Sequence, residues 1–460
     1  MNLNIKVENL GRFKKGEVKL RPLTVLTGEN GTGKSFFTKT LYSIFSVLNK
    51  NLLHIEIDKT IVAINIDLES FIAQVQRKSA LEENMVKDVK TKLNLFKDAL
   101  NVFKDENIRF YKIKIQELHK DIEKPINKLN KHFEKIQNNP IKVKFIKNKI
   151  KELQNNFSIL ESFTKHNIYP RILSKNLSSE IKENFQISNL YELISFDESK
   201  CQIYDKKNGL NISFNKDNFV DFSLEHDFIA EVSNLDRVIF FESPAYWSVR
   251  DALNNSKEVE KKGDLTGVSK YFYDLDKTLN TKSTNQPLEI VSKLAVELKE
   301  EIGGEFIFDS GRLSFVDNSG KNIDKNLISF GMTNLGMIQA LLKNNVISKG
   351  SFVFFDEPET NLHPTWQVLL TKVLIELAEN GVNVVMATHS LDMIKALEVH
   401  TKDKDEKFIA VNHFTKEGGL FEFDSDDITE NLIASRNELM EAYESLFLSE
   451  FYGSETSTSQ

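Results

Sequence analysis

The sequence predicts an α/β protein: a mixed sheet flanked by helices, with an antiparallel helical arm inserted into it. Three observations point there. Residues 352–355, Phe-Val-Phe-Phe, are apolar without alternation, as in strands buried on both faces of a parallel sheet, and residues 382–386 read as a further buried strand. A run at 23–26 leads through a glycine-rich turn into a helical pattern whose face carries Leu41, Ile44, Phe45 and Leu48. From residue 70 to residue 168 glycine is absent and apolar residues recur at helical spacing.

In chain order, residues 1–28 read as two or three strands with turns at Gly11 and Gly16. The helix after the glycine-rich turn is expected to end near 48–51, and the β-branched stretch 53–68 to form one or two strands. Further on, Ile115, Leu118, Ile122, Ile126, Leu129, Phe133 and Ile136 step by three and four, close to a heptad seam. Ile146, Ile150, Leu153, Phe157 and Leu160 give a second stripe. The spacing predicts a pair of antiparallel coiled-coil helices with a tip near 138–141, the first kinked at Pro125. Residues 201–205, 210–214 and 219–222 return to strand character around a Lys-Asn-Gly turn at 207–209. Residues 238–241 make another buried strand, running into Glu242. Val291, Leu294, Leu298 and Ile302 mark a helix, and a hairpin of 305–309 and 313–316 follows. Strands at 407–413 and 419–423 precede a helix around 437–451 and a polar tail. The expected segments are 1–69, the arm 70–170, 171–400, and 401–460.

Hydrophobic residues make up 40% of the 460 and charged residues 28%, with a net charge of −7, the balance of a soluble globular chain. No run approaches the roughly 18 apolar residues of a membrane span, and the start lacks a signal-peptide core. A single cysteine, Cys201, excludes a disulfide framework and a zinc cluster, so the cytoplasm is the expected compartment. Residues 111–151 hold twelve lysines against four acids. Such a basic arm suits nucleic acid phosphates, or is an ordinary solvated helix face; the acidic remainder argues against broad coating of DNA.

The glycine-rich turn is Gly28-Glu29-Asn30-Gly31-Thr32-Gly33-Lys34-Ser35, a full G-x-x-x-x-G-K-[ST] phosphate loop in its strand–turn–helix setting. Backbone N–H groups from Gly28, Asn30, Gly31 and Gly33 through Phe36 would converge on the phosphates of a nucleotide at the helix amino end. Lys34 is placed to bridge phosphates and the Ser35 hydroxyl to hold Mg²⁺. The run 352–355 ends in Asp356 and Glu357, at the strand end where open α/β sheets bind ligands, and Pro358 stops the strand. Ser329-Phe330-Gly331 opens a helix with a hydroxyl and free N–H groups, an anion-binding end. The strand at 382–386 leads to Thr388-His389-Ser390, which places His389 beside the acidic strand end. Asp424, Asp426, Asp427 and Glu430 cluster on what reads as an exposed turn.

Taken in order, these features resemble the ATP-binding-cassette class of ATPase head, the group containing SMC proteins, RecF and the overcoming-lysogenization-defect nucleases. Glu357-Pro-Glu-Thr-Asn-Leu-His-Pro364 is especially similar to soluble members. The resemblance implies that Asp356 holds the Mg²⁺ shell, Glu357 polarises the attacking water and His389 senses the γ-phosphate. It also implies that Ser329 and Gly331 complete the site of a second subunit, and that 360–363 form a dimer-interface loop. The signature reads Ser-Phe-Gly-Met rather than the Ser-Gly-Gly-Gln of transporters, which argues against a transporter subunit. A glutamine loop has no evident place, since Gln74 and Gln76 read as helix surface. Overall the chain is similar to stand-alone ATPases of bacterial anti-phage systems, such as the ATPase subunits of PARIS and Septu, which act with a separately encoded nuclease or toxin. That likeness implies an ATP- and Mg²⁺-dependent switch, a homodimer or larger, governing an effector. The alternative is a RecF-like DNA-binding ATPase in repair.

Overall fold

A computed structural model describes residues 1–74, 80–102, 108–134, 140–163, 168–216, 220–242, 245–259, 267–280, 289–309 and 312–453. The chain forms two compact units, Met1–Asn49 with Leu177–Gln460, and Lys50–Asn176.

At the heart of the first unit is a five-stranded parallel sheet in the order Ile409–His413, Leu23–Thr27, Asn383–Ala387, Phe352–Asp356, Val238–Phe241. Four of these strands are buried at every residue, as strands covered on both faces of a parallel sheet are. Helix Lys34–Leu48 packs across the sheet through aromatic contacts: Tyr42 meets Phe240 and Phe354, and Phe45 meets Phe352. Register pairs Asp356 with Ala387 and Phe355 with Phe241, so the carboxyl ends of neighbouring strands lie level. A separate antiparallel sheet runs Phe13–Leu20, Leu3–Leu10, Lys200–Asp205, Leu210–Asn215, Val220–Leu224. A third, of three strands, is Asn322–Ile323, Arg312–Asp317, Gly304–Asp309.

The second unit holds helices Leu52–Gln74, Ala80–Val102, Ile108–Glu134 and Pro140–Ser162, and the start of Ile168–Phe185. It departs from the expected two-helix arm. Residues 53–68 are helix, not strand: Leu53, Ile57, Ile61, Ile64 and Leu68 are buried at steps of four, four, three and four, while Val62 and Ile66 face solvent. Each of the first four helices packs on two others, and Val89, Leu93, Tyr111, Ile115, Ile150, Leu153, Phe157 and Leu160 are buried with them. The unit therefore begins near residue 50 rather than 70. Helix Ile108–Glu134 runs through Pro125 without a break.

Smaller differences follow the same logic. Residues 419–423 carry only an isolated bridge, Phe414 to Leu420, and the last helix is Ile428–Gly453. The 138–141 tip, Gln76, Phe219, the 310–311 turn and the tail beyond residue 453 fall wholly or partly outside the described residues. Asp427 of the acidic turn caps the last helix, its Oδ1 accepting from the Glu430 N–H at 2.9 Å.

Candidate nucleotide site

The phosphate loop is shaped by left-handed backbone. Gly28, Gly31 and Gly33 have φ of 131°, 78° and 106°, and a Cβ on Gly28 would stand 2.4 Å from the Phe414 carbonyl oxygen. Lys34 folds back over the loop, its Nζ donating to the carbonyls of Gly28 at 2.6 Å and Glu29 at 2.8 Å. Burial lowers its pKa, against the pull of Glu357 and Asp356. The Ser35 hydroxyl donates to Asp356 Oδ1 at 3.2 Å, joining residues 321 positions apart. The Phe36 side chain is spent on packing: its ring lies 5.5 Å from that of Phe185 and fills the space Gly11 leaves open.

At the acidic strand end the two acids differ in character. Asp356 is 3% exposed, and burial, with Glu242 and Glu357 adding, pushes its carboxyl up to about 7. Glu357 turns outward through a φ of 50°, strained for a non-glycine residue, and is part-exposed. Its carboxyl is held low, first by His389, whose Nδ1 lies 3.5 Å from Glu357 Oε1. The His389 pKa is raised, with the Glu357 contact first among the causes. A part-exposed hydroxyl, a buried carboxylate, a lysine and a glycine cradle fit a Mg–nucleotide: hard oxygen donors for the cation, N–H groups and an ammonium for phosphate.

A family model described as "AAA domain, putative AbiEii toxin, Type IV TA system" matches residues 23–393. The chain belongs to this AAA family. Among solved structures it is similar to an SMC head bound to the C-winged helix domain of ScpA, at 8% identity over 91% of this chain and 95% of that one, TM-score 0.39. The SMC head domain from Thermotoga maritima matches at 8% identity over 90% and 94%, TM-score 0.32. The recombination mediator RecF bound to an ATP analogue matches at 10% over 91% and 97%, TM-score 0.33. No curated protein matches the chain.

In this AAA-family protein Ser329 and Gly331 stand on an element of their own, at the start of a helix. Ser329 caps helix Phe330–Lys343, its Oγ accepting from the Met332 N–H at 3.3 Å. Gly331 abuts the segment after the acidic strand, where a Cβ would meet the Asn361 carbonyl oxygen at 2.5 Å. Buried Asn334 fastens the same segment, donating to the carbonyls of Pro358 at 2.8 Å and Thr360 at 3.0 Å. Gln74 closes helix Leu52–Gln74, in the other unit.

Three residues not singled out from sequence lie near the phosphate loop or the acidic strand end. Glu242 follows Phe241 and so stands level with Asp356; it pairs with Lys39 at 2.9 Å and accepts from the Tyr271 hydroxyl. Its only sequence signal is a lone acid after an apolar run. Buried His413 accepts from or donates to Thr27 Oγ1 at 3.0 Å beneath the loop, and burial lowers its pKa to about 4, so the ring is neutral. Arg12 places a guanidinium nitrogen 4.0 Å from the point a Gly31 Cβ would occupy.

Proposed function

We propose that this protein is an ATP-binding and ATP-hydrolysing switch whose head-to-head assembly controls a separate effector, a nuclease or toxin, in bacterial anti-phage defence, acting in the cytoplasm. The observation that carries the ATPase part is the Ser35–Asp356 hydrogen bond, which brings the phosphate-loop hydroxyl to the acidic strand end. On this reading Lys34 and the loop N–H groups hold the phosphates, while Glu357 orients the attacking water and takes its proton. His389 donates to the γ-phosphate. Ser35 and Asp356 would hold Mg²⁺, which supplies positive charge beside the transferring phosphoryl group. Glu242 and Arg12 are further members, the first beside the cation's ligands and the second above the loop.

Assembly is supported by the surface around the signature helix start. Leu327 is 79% exposed and Phe330 51%, on either side of Ser329, an apolar patch that a second head would cover. The family description, with its toxin and toxin–antitoxin terms, supports the effector part. The test is steady-state phosphate release with Mg-ATP. Wild type is expected to turn over, Glu357→Gln to lose about 10²–10⁴-fold in kcat, and Lys34→Ala to lose nucleotide affinity by on the order of 100-fold. Wild-type turnover in Glu357→Gln would remove Glu357 from the role of base.

A second reading, a DNA-gripping ATPase, is favoured by the exposure of Lys112, Lys120, Lys124, Lys128, Lys131, Lys144, Lys147 and Lys151 in the helical unit. DNA-stimulated turnover falling steeply with salt is its signature; turnover indifferent to DNA counts against it.

A further inference from the structure

We infer that Glu359 is a positioning residue for the phosphate-facing histidine: its carboxylate fixes the His389 backbone and faces ring Nδ1, which leaves Nε2 to meet the phosphate. The inference deepens the ATPase reading and rests on it. Glu359 is buried at 6% exposure, unusual for a carboxylate. One oxygen, Oε1, accepts from the Thr388 hydroxyl at 2.7 Å and from the His389 backbone N–H at 3.0 Å. The same oxygen lies 3.5 Å from His389 Nδ1. Its other oxygen, Oε2, is buried without a hydrogen-bond partner among the described residues, and so is His389 Nδ1. Two unsatisfied buried polar atoms on adjoining residues are costly unless they serve each other during the reaction cycle.

The chemistry of the ring fixes what Glu359 does. Nδ1 sits 3.5 Å from a carboxylate oxygen of Glu357 and 3.5 Å from one of Glu359. Carboxylates only accept, so Nδ1 carries a proton. A neutral ring would then present a lone pair at Nε2, which repels phosphate oxygen; the imidazolium donates from both nitrogens. Glu357 is part-exposed and, as the proposed base, turns to the attacking water. Glu359 does not leave, because Thr388 and the His389 N–H hold it. The other charge facing the ring is Lys34, which opposes its protonation. Glu359 thus keeps the two-donor form of His389 in place while Glu357 works. Downstream, Ser390 continues the connection, its N–H donating to Thr388 Oγ1 at 3.0 Å.

The test is a double-mutant cycle in the full chain with Mg-ATP. Glu359→Gln preserves size and the Oε1 acceptor while removing the charge. It is expected to lower kcat about tenfold or more with KM and nucleotide affinity within about twofold. In a His389→Ala background the same substitution is expected to change nothing further. Glu359→Asp, which restores the charge one methylene short, is expected to fall between the two and also serves if the glutamine variant does not fold. An equal loss of kcat in both backgrounds, or no loss in either, overturns the inference. A second readout needs no turnover: in ¹⁵N-histidine spectra the His389 ring resonances are expected to move in Glu359→Gln, and unmoved resonances overturn it. If wild type itself releases no phosphate, the ATPase reading fails while the spectra still judge Glu359.

Discussion

Asp356 and Glu357 are neighbours in sequence and opposites in environment. Asp356 closes a strand buried at all five residues, whereas Glu357, at positive φ, leaves the sheet and meets His389. The consequence for stability follows from the direction of the Asp356 shift. Its carboxyl rises from 3.8 to about 7, burial first and Glu242 next, so the folded, nucleotide-free protein holds that proton more tightly than the unfolded chain does. That contribution is fully present below about pH 4 and is lost as pH rises through about 7. Asp356→Asn, neutral at any pH, is therefore expected to raise the nucleotide-free melting temperature at pH 8 by roughly 2–4 °C, and by less at pH 5. A uniform shift at both pH values would show that its carboxylate is not the source.

At the scale of elements, the segment after the acidic strand is held from three sides. Asn334 of the signature helix takes two of its carbonyls, Glu359 ties it to His389, and Gln367 Nε2 donates to the Leu362 carbonyl at 3.0 Å. Asn334→Ala leaves the Pro358 and Thr360 carbonyls unpaired and is expected to cost about 1–3 kcal/mol of stability. Faster amide hydrogen exchange confined to residues 357–363 is the accompanying sign; a change spread evenly over the chain would deny the segment a special dependence on Asn334. Strands such as Phe352–Asp356 were legible in sequence because burial on both faces leaves an unbroken apolar run. β-Branched content misled at 53–68, where isoleucine and valine suggested strand while the buried positions keep helical spacing. Glu242 was hidden for a different reason: only the pairing of Phe241 with Phe355 brings it level with Asp356. Nor does Glu-Pro-Glu in the chain disclose that Glu359 is buried against Thr388.

At the scale of the whole molecule, the phosphate loop and acidic strand lie far apart in the chain and meet through sheet pairing: Asn383–Ala387 stands between Leu23–Thr27 and Phe352–Asp356, parallel to both. Residues 50–176 are accommodated between them in sequence as a compact unit of their own. Ser329 and Gly331 sit at the start of a helix, Gly331 close against Asn361, with apolar Leu327 and Phe330 left exposed beside them. A switch that closes head to head would use that surface only when ATP is bound, and would reopen on hydrolysis. The direct measurement is molar mass by light scattering for wild type and Glu357→Gln, with and without Mg-ATP. The account predicts monomers without nucleotide and an ATP-dependent rise to a dimer or larger assembly that persists in Glu357→Gln. A mass that is the same in all four samples would contradict it.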